Sequence, residues 1–358
     1  MRALITGVTG QDGAYLSQLL LGKGYEVFGG YRRTSNLDTW RLRELGIEKD
    51  VTLVPLDLLE FSNIFRLVET IQPDEIYNLA AQSFVGVSFE QPMVTLDING
   101  VGVLRFLETI RTISPHTRFY QASTSEMFGK VREIPQNENT ALYPRSPYGI
   151  AKVCAHWTTV NYREAHDLFA CSGILFNHES PLRGPEFVTR KITQGVARMA
   201  RGDQEKITLG NLSAARDWGF AREYVEAMWL MLRQETPDDF VIATGETHTV
   251  REFVEEAFAA VGIEISWKGS GVDEVGIDQK SGKTVVDVSP EYYRLAEVDI
   301  LMGDPSKAKD VLGWHPQTKF SSLIKMMVEA DLDRLGDQVD RNVSRARKEE
   351  RAEERTIA

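Results

Sequence analysis

The stretch Arg2-Ala3-Leu4-Ile5-Thr6-Gly7-Val8-Thr9-Gly10-Gln11-Asp12-Gly13 decides the fold of this chain. It opens with a short apolar run, typical of a strand that is buried on both faces of a parallel sheet. The glycines at positions 7, 10 and 13 allow a tight turn, admit a pyrophosphate against the backbone and let the following helix pack on the sheet. An anion would sit at the N-terminus of that helix. A simple strand-to-helix turn is the alternative. The predicted dinucleotide-binding residues of this loop are Gly7, Thr9, Gly10, Gln11, Asp12 and Gly13.

Strand-like runs alternate with helical patterns through the first two-thirds of the sequence. After Arg2–Thr6, the predicted strands are Glu26–Tyr31, Val51–Leu56, Glu75–Ala80, Arg118–Ala122, Ala170–Phe176 and Phe240–Thr244. Amphipathic stretches lie between them, at Tyr15–Lys23, Ile64–Ile71 and Val101–Ile110. This alternation predicts an α/β fold, a Rossmann-type doubly wound parallel sheet with right-handed crossovers.

The alternation loosens after Phe176, which predicts a smaller, interleaved C-terminal substrate-binding lobe. We expect the nucleotide-binding domain to comprise residues 1–178 and about 217–245, and the lobe to comprise about 179–216 and 246–332. Residues 333–358 are nearly all charged or small and lack an apolar stripe. They predict a disordered tail, with a helix that binds a partner as the alternative.

The composition excludes several classes of protein. Of the 358 residues, 42% are hydrophobic and 26% are charged, which is typical of folded domains and not of disordered or fibrous chains. A net charge of −11 argues against nucleic acid or an acidic membrane surface as a partner. No apolar stretch reaches the ~18 residues of a membrane span. Cys154 and Cys171 are too few for a disulfide framework, and the histidines show no metal-ligand spacing. We therefore expect a cytoplasmic protein that binds no metal, nucleic acid or membrane.

The end of the second strand indicates which dinucleotide is bound. An NAD enzyme carries an acid there, which holds the ribose 2′-hydroxyl. Here the chain reads Tyr31-Arg32-Arg33-Thr34-Ser35, and Arg32 and Arg33 suit a 2′-phosphate. The sequence therefore predicts NADP, with a solvated arginine pair as the alternative. Further cofactor contacts are expected from Asp57, Leu58, Leu79, Ala80, Ala81 and Ser83.

Two short motifs carry the candidate catalytic residues. Tyr148 and Lys152 stand four apart behind Pro147, which suits a first helical turn, so their side chains would share one helix face. The ammonium would lower the pKa of the phenol and make it a usable base. Thr124 and Glu126 follow the fifth predicted strand, at the edge where an open α/β sheet binds ligands. Glu126 could instead cap a helix or lie at the rim as a surface charge.

Longer motifs resemble a known family. The glycine run, Thr124-Ser125-Glu126 and the Tyr148/Lys152 pair are similar to the extended short-chain dehydrogenases/reductases. Within that superfamily, the chain resembles the GDP-mannose 4,6-dehydratases from residue 2 to about 332. The motifs that carry the narrower resemblance are Phe119-Tyr120-Gln121-Ala122-Ser123-Thr124-Ser125-Glu126, Tyr143-Pro144-Arg145-Ser146-Pro147-Tyr148, Ile174-Leu175-Phe176-Asn177-His178-Glu179-Ser180-Pro181, Phe187-Val188-Thr189-Arg190-Lys191-Ile192 and Arg216-Asp217-Trp218-Gly219.

The resemblance implies an internal redox cycle with tightly bound NADP, recycled within each turnover. Tyr148, helped by Lys152, would take the proton of the mannose 4-hydroxyl while C4 gives hydride to NADP⁺. Thr124 would hydrogen-bond O4. Glu126 would remove the C5 proton and protonate the departing C6 hydroxyl, and the hydride would return to C6. The products would be water and GDP-4-keto-6-deoxymannose, for deoxyhexose biosynthesis of the GDP-fucose or GDP-rhamnose type.

The resemblance also implies which residues face the ligands. His178 and Arg183 join the predicted cofactor contacts, and a homodimer or homotetramer is expected. A GDP diphosphate needs cations, and Arg190 is among the candidates. Any single candidate could instead form a surface ion pair. The predicted contacts to GDP-mannose are Ser83, Thr124, Ser125, Glu126, Asn177, Val188, Lys191, Leu209, Gly210, Arg216, Arg294 and Glu297.

Two other functions stay open from the sequence. Another nucleotide-sugar dehydratase or an epimerase of the same fold would use most of the same residues, because a guanine pocket cannot be deduced from single-residue chemistry. A catalytically silent NADP-binding regulator would have no need to keep Thr124, Glu126, Tyr148 and Lys152 together.

Overall fold

The computed structural model describes residues 1–292 and 300–336. Its strands are β1 (Arg2–Thr6), β2 (Glu26–Tyr31), β3 (Thr52–Pro55), β4 (Glu75–Asn78), β5 (Arg118–Thr124), β6 (Ala170–Leu175), β7 (Asn177–Glu179), β8 (Ile207–Leu209), β9 (Ala215–Arg216), β10 (Trp218–Phe220), β11 (Phe240–Ile242), β12 (His248–Thr249), β13 (Ile265–Lys268), β14 (Val275–Asp278) and β15 (Thr284–Val288).

The helices alternate with these strands through the first half of the chain. They are α1 (Gln11–Gly22), α2 (Trp40–Glu44), α3 (Phe61–Ile71), α4 (Val85–Glu90), α5 (Pro92–Leu96), α6 (Gly102–Ile113), α7 (Pro147–His166), α8 (Val188–Ala200), α9 (Ala221–Met231), α10 (Val250–Ala259) and α11 (residues 320–336). Short π-helices lie at Asp97–Val101 and Ala308–Leu312, and 3-10 turns lie at Ser125–Met127, Gly271–Asp273 and Pro290–Tyr292. No helix in the described ranges is long and apolar enough to cross a membrane.

The described chain divides into two compact units. The first comprises residues 1–184, 213–249 and 300–320, and the second comprises residues 185–212, 250–292 and 321–336. This division differs from the sequence interpretation, which assigned 179–184, 213–216, 246–249 and 300–320 to the lobe. Local packing explains the last segment, because Trp314 is buried in the core of the first unit and its indole N–H donates to the carbonyl of Glu223 at 2.9 Å.

The first unit is built on a seven-stranded sheet in the order β3-β2-β1-β4-β5-β6-β11. All neighbouring strands are parallel. The predicted strands form this sheet, and their observed ends differ from the predicted ones by at most two residues. The predicted Rossmann-type fold is therefore confirmed. The strand order reverses between β1 and β4, which is the point where ligands bind in such sheets.

Apolar cores cover both faces of this sheet. One core includes Leu16 and Leu20 of α1 with Met228 of α9, and the other includes Val68 of α3 with Phe106 of α6. Each fully buried side chain of this size stabilises the fold by roughly 1.5–3 kcal/mol. The edge that carries the strand ends is thereby held on a rigid scaffold.

The second unit contains a smaller sheet with helices of its own. Its strand order is β13-β14-β15-β8, in which β15 and β8 are parallel and the other pairs are antiparallel. Arg190 of α8 forms a salt bridge with Asp331 of α11, with Nη2 2.6 Å from Oδ1 and both side chains at most 4% exposed. Thr193 donates to the same carboxylate at 2.7 Å. Arg190 is therefore part of the core of this unit and not a surface cation.

Three sequence expectations concern the C-terminal part of the chain. Helix α11 continues through residue 336, so the first four residues of the predicted disordered tail, 333–336, are helical. The rest of that tail, residues 337–358, lies outside the described residues, as do Arg294 and Glu297.

Candidate active site

The glycine-rich loop lies at the switch point of the sheet. Gly7 has a φ of +69°, and a Cβ added to it would lie 3.0 Å from the backbone of Ala80, which follows β4. A Cβ on Gly13 would lie 2.5 Å from the carbonyl oxygen of Gly7. Gly10 is the N-cap of α1 and no side chain caps this helix end. The loop thus combines close backbone approach with helix N–H groups that can hold a pyrophosphate.

A threonine hydroxyl fastens the neighbouring strand end to this loop. Thr6 Oγ1 accepts from the backbone N–H groups of Leu79 at 3.0 Å and Ala80 at 2.9 Å, and donates to Asn78 Oδ1 at 2.9 Å. The segment beyond is held by Asn99, whose side chain exchanges two hydrogen bonds with the backbone of Gln82. The predicted cofactor residues Leu79, Ala80, Ala81 and Ser83 therefore lie on a backbone segment that is fixed beside the loop.

The other predicted cofactor residues of the sheet edge lie where the strand ends place them. Arg32 and Arg33 directly follow β2 and are exposed. Asp57 follows β3, and its Oδ1 accepts from the N–H of Leu59 at 3.0 Å. Leu58 is buried.

Gln11 and Asp12 both face residues of β7. The Gln11 amide donates to the carbonyl of His178 at 3.1 Å and accepts from the hydroxyl of Ser180 at 2.6 Å. Asp12 Oδ2 lies 2.9 Å from His178 Nε2, while His178 Nδ1 lies 2.8 Å from the carbonyl oxygen of Phe176. Because both ring nitrogens face acceptors, the geometry fits a protonated imidazole that donates twice.

The electrostatics agree with this protonation state. Burial opposes the charge on both groups, but their mutual attraction outweighs it, so the pKa of Asp12 is lowered and the pKa of His178 is raised. The ring of His178 also stacks on Tyr224 of α9, with centroids 4.7 Å apart. Arg183 pairs with the buried Glu179, with Nε 3.0 Å from Oε2. His178 and Arg183 thus place two cationic groups beside the glycine-rich loop, each paired with a carboxylate.

The carboxyl end of β5 carries Thr124, Ser125 and Glu126. Thr124 caps the 3-10 turn Ser125–Met127, and its Oγ1 accepts from the N–H of Glu126 at 3.3 Å. Ser125 is buried, whereas the Thr124 and Glu126 side chains are half-buried. One turn therefore presents a hydroxyl and a carboxylate at the ligand-binding edge.

Helix α7 brings Tyr148 to the same place. Ser146 is its N-cap and accepts from the N–H of Gly149 at 3.0 Å, and Pro147 occupies the first turn as expected from the sequence. A Cβ on Gly149 would lie 2.9 Å from the carbonyl oxygen of Glu126. The missing side chain lets the start of α7 approach the end of β5, and Tyr148 forms a hydrogen bond with Thr124.

The expected effect of Lys152 on Tyr148 is not the dominant one. Burial raises the pKa of Tyr148 to about 12, and the hydrogen bond from Thr124 and the charge of Arg183 only partly oppose it. The Lys152 ammonium lies 5.8 Å from the centre of the Tyr148 ring. The sequence prediction of a lowered phenol pKa is therefore wrong for the structure as described, because burial of the side chain could not be foreseen from the i, i+4 spacing.

Lys152 is buried and held by the strand beside it. Its ammonium donates to the carbonyl of Ala122 at 2.7 Å, and burial lowers its pKa to about 8. The same carbonyl accepts from Gln121 Nε2 at 2.8 Å, and Gln121 Oε1 accepts from Asn78 Nδ2 at 2.8 Å. Asn78 in turn accepts from Thr6. A chain of side chains thus runs along the sheet edge from the glycine loop to Lys152, and sequence analysis missed its middle members.

The residues predicted to bind the nucleotide sugar belong to both units. In the first, Asn177 lies on β7 and the buried Arg216 on β9, where its Nη1 donates to the carbonyl of Ala215 at 2.9 Å. In the second, Val188 begins α8, Leu209 ends β8, and Gly210 follows it. The Lys191 ammonium lies 3.7 Å from the centre of the Tyr292 ring. Gly210 packs against the carbonyl of Tyr292, where a Cβ would lie 2.6 Å away. Tyr292 was not singled out from the sequence.

No group of three His, Cys, Asp or Glu side chains that could hold a metal ion occurs within residues 1–292 and 300–336. The elements at this edge can support acid–base chemistry. A hydroxyl, a phenol and a carboxylate meet beside a dinucleotide loop, with an ammonium one helical turn away.

Comparison with known proteins narrows the range of reactions that this site could catalyse. A family model described as GDP-mannose 4,6 dehydratase matches residues 4–327. This chain belongs to the GDP-mannose 4,6-dehydratase family. Curated members include GDP-mannose 4,6 dehydratase 2 of Caenorhabditis elegans, which is 54% identical over 92% of this chain and 88% of its own length. The human enzyme of the family is 52% identical over 92% of this chain and 91% of its own length.

The fold extends beyond the family. The structure of a dTDP-glucose 4,6-dehydratase from Streptomyces venezuelae, determined with NAD bound, has a TM-score of 0.79 and 21% identity, covering 94% of this chain and 98% of that one. This likeness shows a shared architecture only. The dehydratase assignment therefore comes from the family match.

Proposed function

We propose that this chain is an NADP-dependent GDP-mannose 4,6-dehydratase, a hydro-lyase that converts GDP-mannose into GDP-4-keto-6-deoxymannose and water. The observation that carries the proposal, beside the family match, is the meeting of Thr124, Glu126 and Tyr148 at the end of β5. Oxidation at C4 makes the C5 proton acidic, and a positioned carboxylate can then eliminate the C6 hydroxyl.

Each side chain has one task in this proposal. Tyr148 accepts the proton of the 4-hydroxyl, and Thr124 holds the same oxygen by a hydrogen bond. Lys152, positively charged below its pKa of about 8, stabilises the phenolate form of Tyr148 that accepts this proton. Glu126 takes the proton from C5 and gives one to the departing C6 hydroxyl. Bound NADP supplies the hydride acceptor at C4 and the hydride donor at C6, so the cycle consumes no cofactor.

The experiment that tests this proposal is a single turnover of Glu126→Gln with GDP-mannose. Glutamine keeps the shape of the side chain but cannot carry the proton, so loss of water should slow by roughly 10²–10⁴-fold while C4 is still oxidised. The mass of the sugar and the absorbance of NADPH are followed together. Water loss at the wild-type rate would remove Glu126 from the acid–base role.

The same two readouts, applied to the wild-type protein with GDP-mannose, separate the alternatives. An epimerase would return the hydride to C4 and leave the mass of the sugar unchanged, and another nucleotide-sugar dehydratase would leave GDP-mannose intact. A silent regulator would bind without either change. The family match favours the dehydratase over all three.

The preference for NADP rests on Arg32 and Arg33 at the end of β2. Charge-assisted hydrogen bonds to a phosphate are worth about 1.5–3 kcal/mol each, so replacing both arginines by alanine should weaken NADP binding far more than NAD binding. Equal losses for the two cofactors would contradict this role. Arg66→Ala is the control for removing a cation.

The oligomeric state belongs to the same proposal. Exposed apolar side chains cluster on α5, α6 and α7, which pack together in the first unit, with Met93 78% and Trp157 56% exposed. Exposed apolar surface of this kind is typical of protein–protein interfaces. We assign this face to a second copy of the chain, in a homodimer or homotetramer. Sedimentation should show a lower mass for Trp157→Glu than for the wild type.

The expected compartment is the cytoplasm. Both cysteines are free, with Cys154 exposed and Cys171 buried, as suits a reducing environment. Fractionation of cells that express the chain would test this placement.

A further inference from the structure

The glycine-rich loop is tied to the segment of residues 177–182, which we call the β7 segment. The Gln11 side chain makes the central ties, to the His178 carbonyl and the Ser180 hydroxyl. Gln11 is 6% exposed and Ser180 is fully buried. The amide also donates to Asp12 Oδ1 at 3.1 Å, so its polar atoms are engaged within the protein. A contact of Gln11 with the cofactor would therefore involve its backbone.

Arg41 makes a second connection between the glycine-rich loop and the β7 segment. Arg41 of α2 donates from Nη1 to the carbonyl of Thr9 at 2.9 Å and from Nε to the carbonyl of Leu182 at 2.6 Å. Leu182 N–H donates to Ser180 Oγ at 3.0 Å, which links the two ties within the β7 segment. The Asp12–His178 pair joins the same two segments.

The ties join two parts of the site that the proposed function assigns to different ligands. The loop would hold the pyrophosphate of the dinucleotide, whereas β7 carries Asn177, expected to face the nucleotide sugar. Displacing the loop alone would strand the Gln11 amide and the Ser180 hydroxyl in a buried place, which is costly. The two segments must therefore keep their relative position or shift together.

We propose that Gln11, with Ser180 and Arg41, makes the glycine-rich loop and the β7 segment one mechanical element, so that cofactor and GDP-mannose bind with positive coupling. This inference rests on the proposed function, because it takes GDP-mannose as the ligand beside Asn177. Because the ties transmit a shift of one segment to the other, the ligand that binds first sets the position in which the second ligand binds. Gln11 is in this sense a positioning residue.

The coupling is measured with NADPH, which cannot accept the C4 hydride and so allows no turnover. The affinity of the full-length protein for NADPH is determined from the fluorescence of NADPH, without and with saturating GDP-mannose. In the wild type the sugar nucleotide should tighten NADPH binding by about 5–150-fold. In Gln11→Leu, which keeps the volume and removes the amide, that ratio should fall below about twofold.

Gln18→Leu is the matched control, since it makes the same change in α1 at a side chain whose amide donates only one long hydrogen bond, of 3.5 Å to the Leu45 carbonyl. It should keep the wild-type ratio. If Gln11→Leu does not fold, Ser180→Ala removes one tie from the other side and should lower the ratio in the same direction.

Two results would overturn the inference. A wild-type ratio of one shows that the ligands bind independently, and an unchanged ratio in Gln11→Leu and Ser180→Ala shows that these residues only stabilise the fold. Either result leaves the proposed function standing as long as the wild type removes water from GDP-mannose. Failure of that reaction would instead remove the function.

Discussion

Tyr148 combines two properties that oppose each other. It is hydrogen-bonded to Thr124 and lies near the ammonium of Lys152, as a base requires, yet burial raises its pKa to about 12. A phenol in this state holds its proton at neutral pH, so Tyr148 must lose that proton before it can act as a base. The Lys152 ammonium, which lies 5.8 Å from the centre of the ring, favours the phenolate form that can then accept the proton of the 4-hydroxyl.

At the residue scale, Tyr148→Phe should abolish the first oxidation. Removing a positioned general base slows a step by roughly 10²–10⁴-fold, so rapid mixing with GDP-mannose should give no burst of NADPH absorbance. Tyr162→Phe removes the same atom from the same helix, where the hydroxyl donates to Glu108 at 2.9 Å, and should keep the burst. A burst of wild-type size in Tyr148→Phe would exclude this residue as the base.

Helix α7 and strand β5 meet through a glycine, and this contact decides the geometry of the site at the element scale. Gly149 faces the carbonyl of Glu126, where an alanine Cβ would lie 2.9 Å from the oxygen. Alanine is the better helix former, but the backbone of the turn cannot yield as a flexible side chain would. The clash with the Glu126 carbonyl should therefore outweigh the gain in helix propensity.

Gly149→Ala is expected to lower stability by about 1–3 kcal/mol and to slow turnover, because the start of α7 must move away from the end of β5. Gly22→Ala in α1, where an added Cβ meets no atom within 4 Å, should instead stabilise by about 0.5–1 kcal/mol. Denaturant unfolding and turnover of the two variants provide the measurement. Equal stability of both variants would show that the contact with Glu126 is not close.

The sequence could predict elements far better than contacts. β6 could be predicted because its residues form a short run that is apolar or small, and α1 because the glycine-rich loop leads into it. The role of Gly149 depends on a carbonyl from a different element, and the role of Gln11 depends on β7, more than 160 residues away in sequence. Contacts of this kind depend on how elements pack, which no local pattern records.

The catalytic residue types, by contrast, could be predicted from local sequence patterns. The sequence motifs alone indicate the chemistry of Thr124, Glu126, Tyr148 and Lys152. The structure adds how deeply these side chains are buried and what they contact. The pKa of Lys152 at about 8 and that of Tyr148 at about 12 both result from burial. Burial is a property of the assembled fold, so it could not be predicted from spacing.

Asp217 acts at the scale of the whole first unit, since it joins three distant segments. Its carboxylate accepts from the N–H groups of Thr244 at 2.8 Å, Gly245 at 3.0 Å and Gly303 at 3.3 Å. Burial nevertheless raises its pKa from 3.8 to about 6. Between these two pH values the folded protein therefore binds more protons at this site than the unfolded chain does.

The pH dependence of stability follows from this difference. Asp217 favours the folded state below pH 4, and this contribution is lost as the pH rises through about 6. The free energy of unfolding of the wild type, relative to Asp217→Asn, should fall by up to about 3 kcal/mol across that range. Asp203→Asn, at an exposed acid, is the control for the substitution. A difference that does not change with pH would contradict the raised pKa.

The 3-10 turn Ser125–Met127 has a practical consequence for protein engineering. In the proposed mechanism, the step that removes water depends on one side chain of this turn, Glu126, while the redox step depends on α7. A library of variants confined to these three positions would therefore change which reaction the 4-keto sugar undergoes, while the oxidation that forms it stays the same. Variants that lose the carboxylate would be starting points for catalysts that invert or reduce a 4-keto sugar, obtained without redesigning the scaffold that produces it.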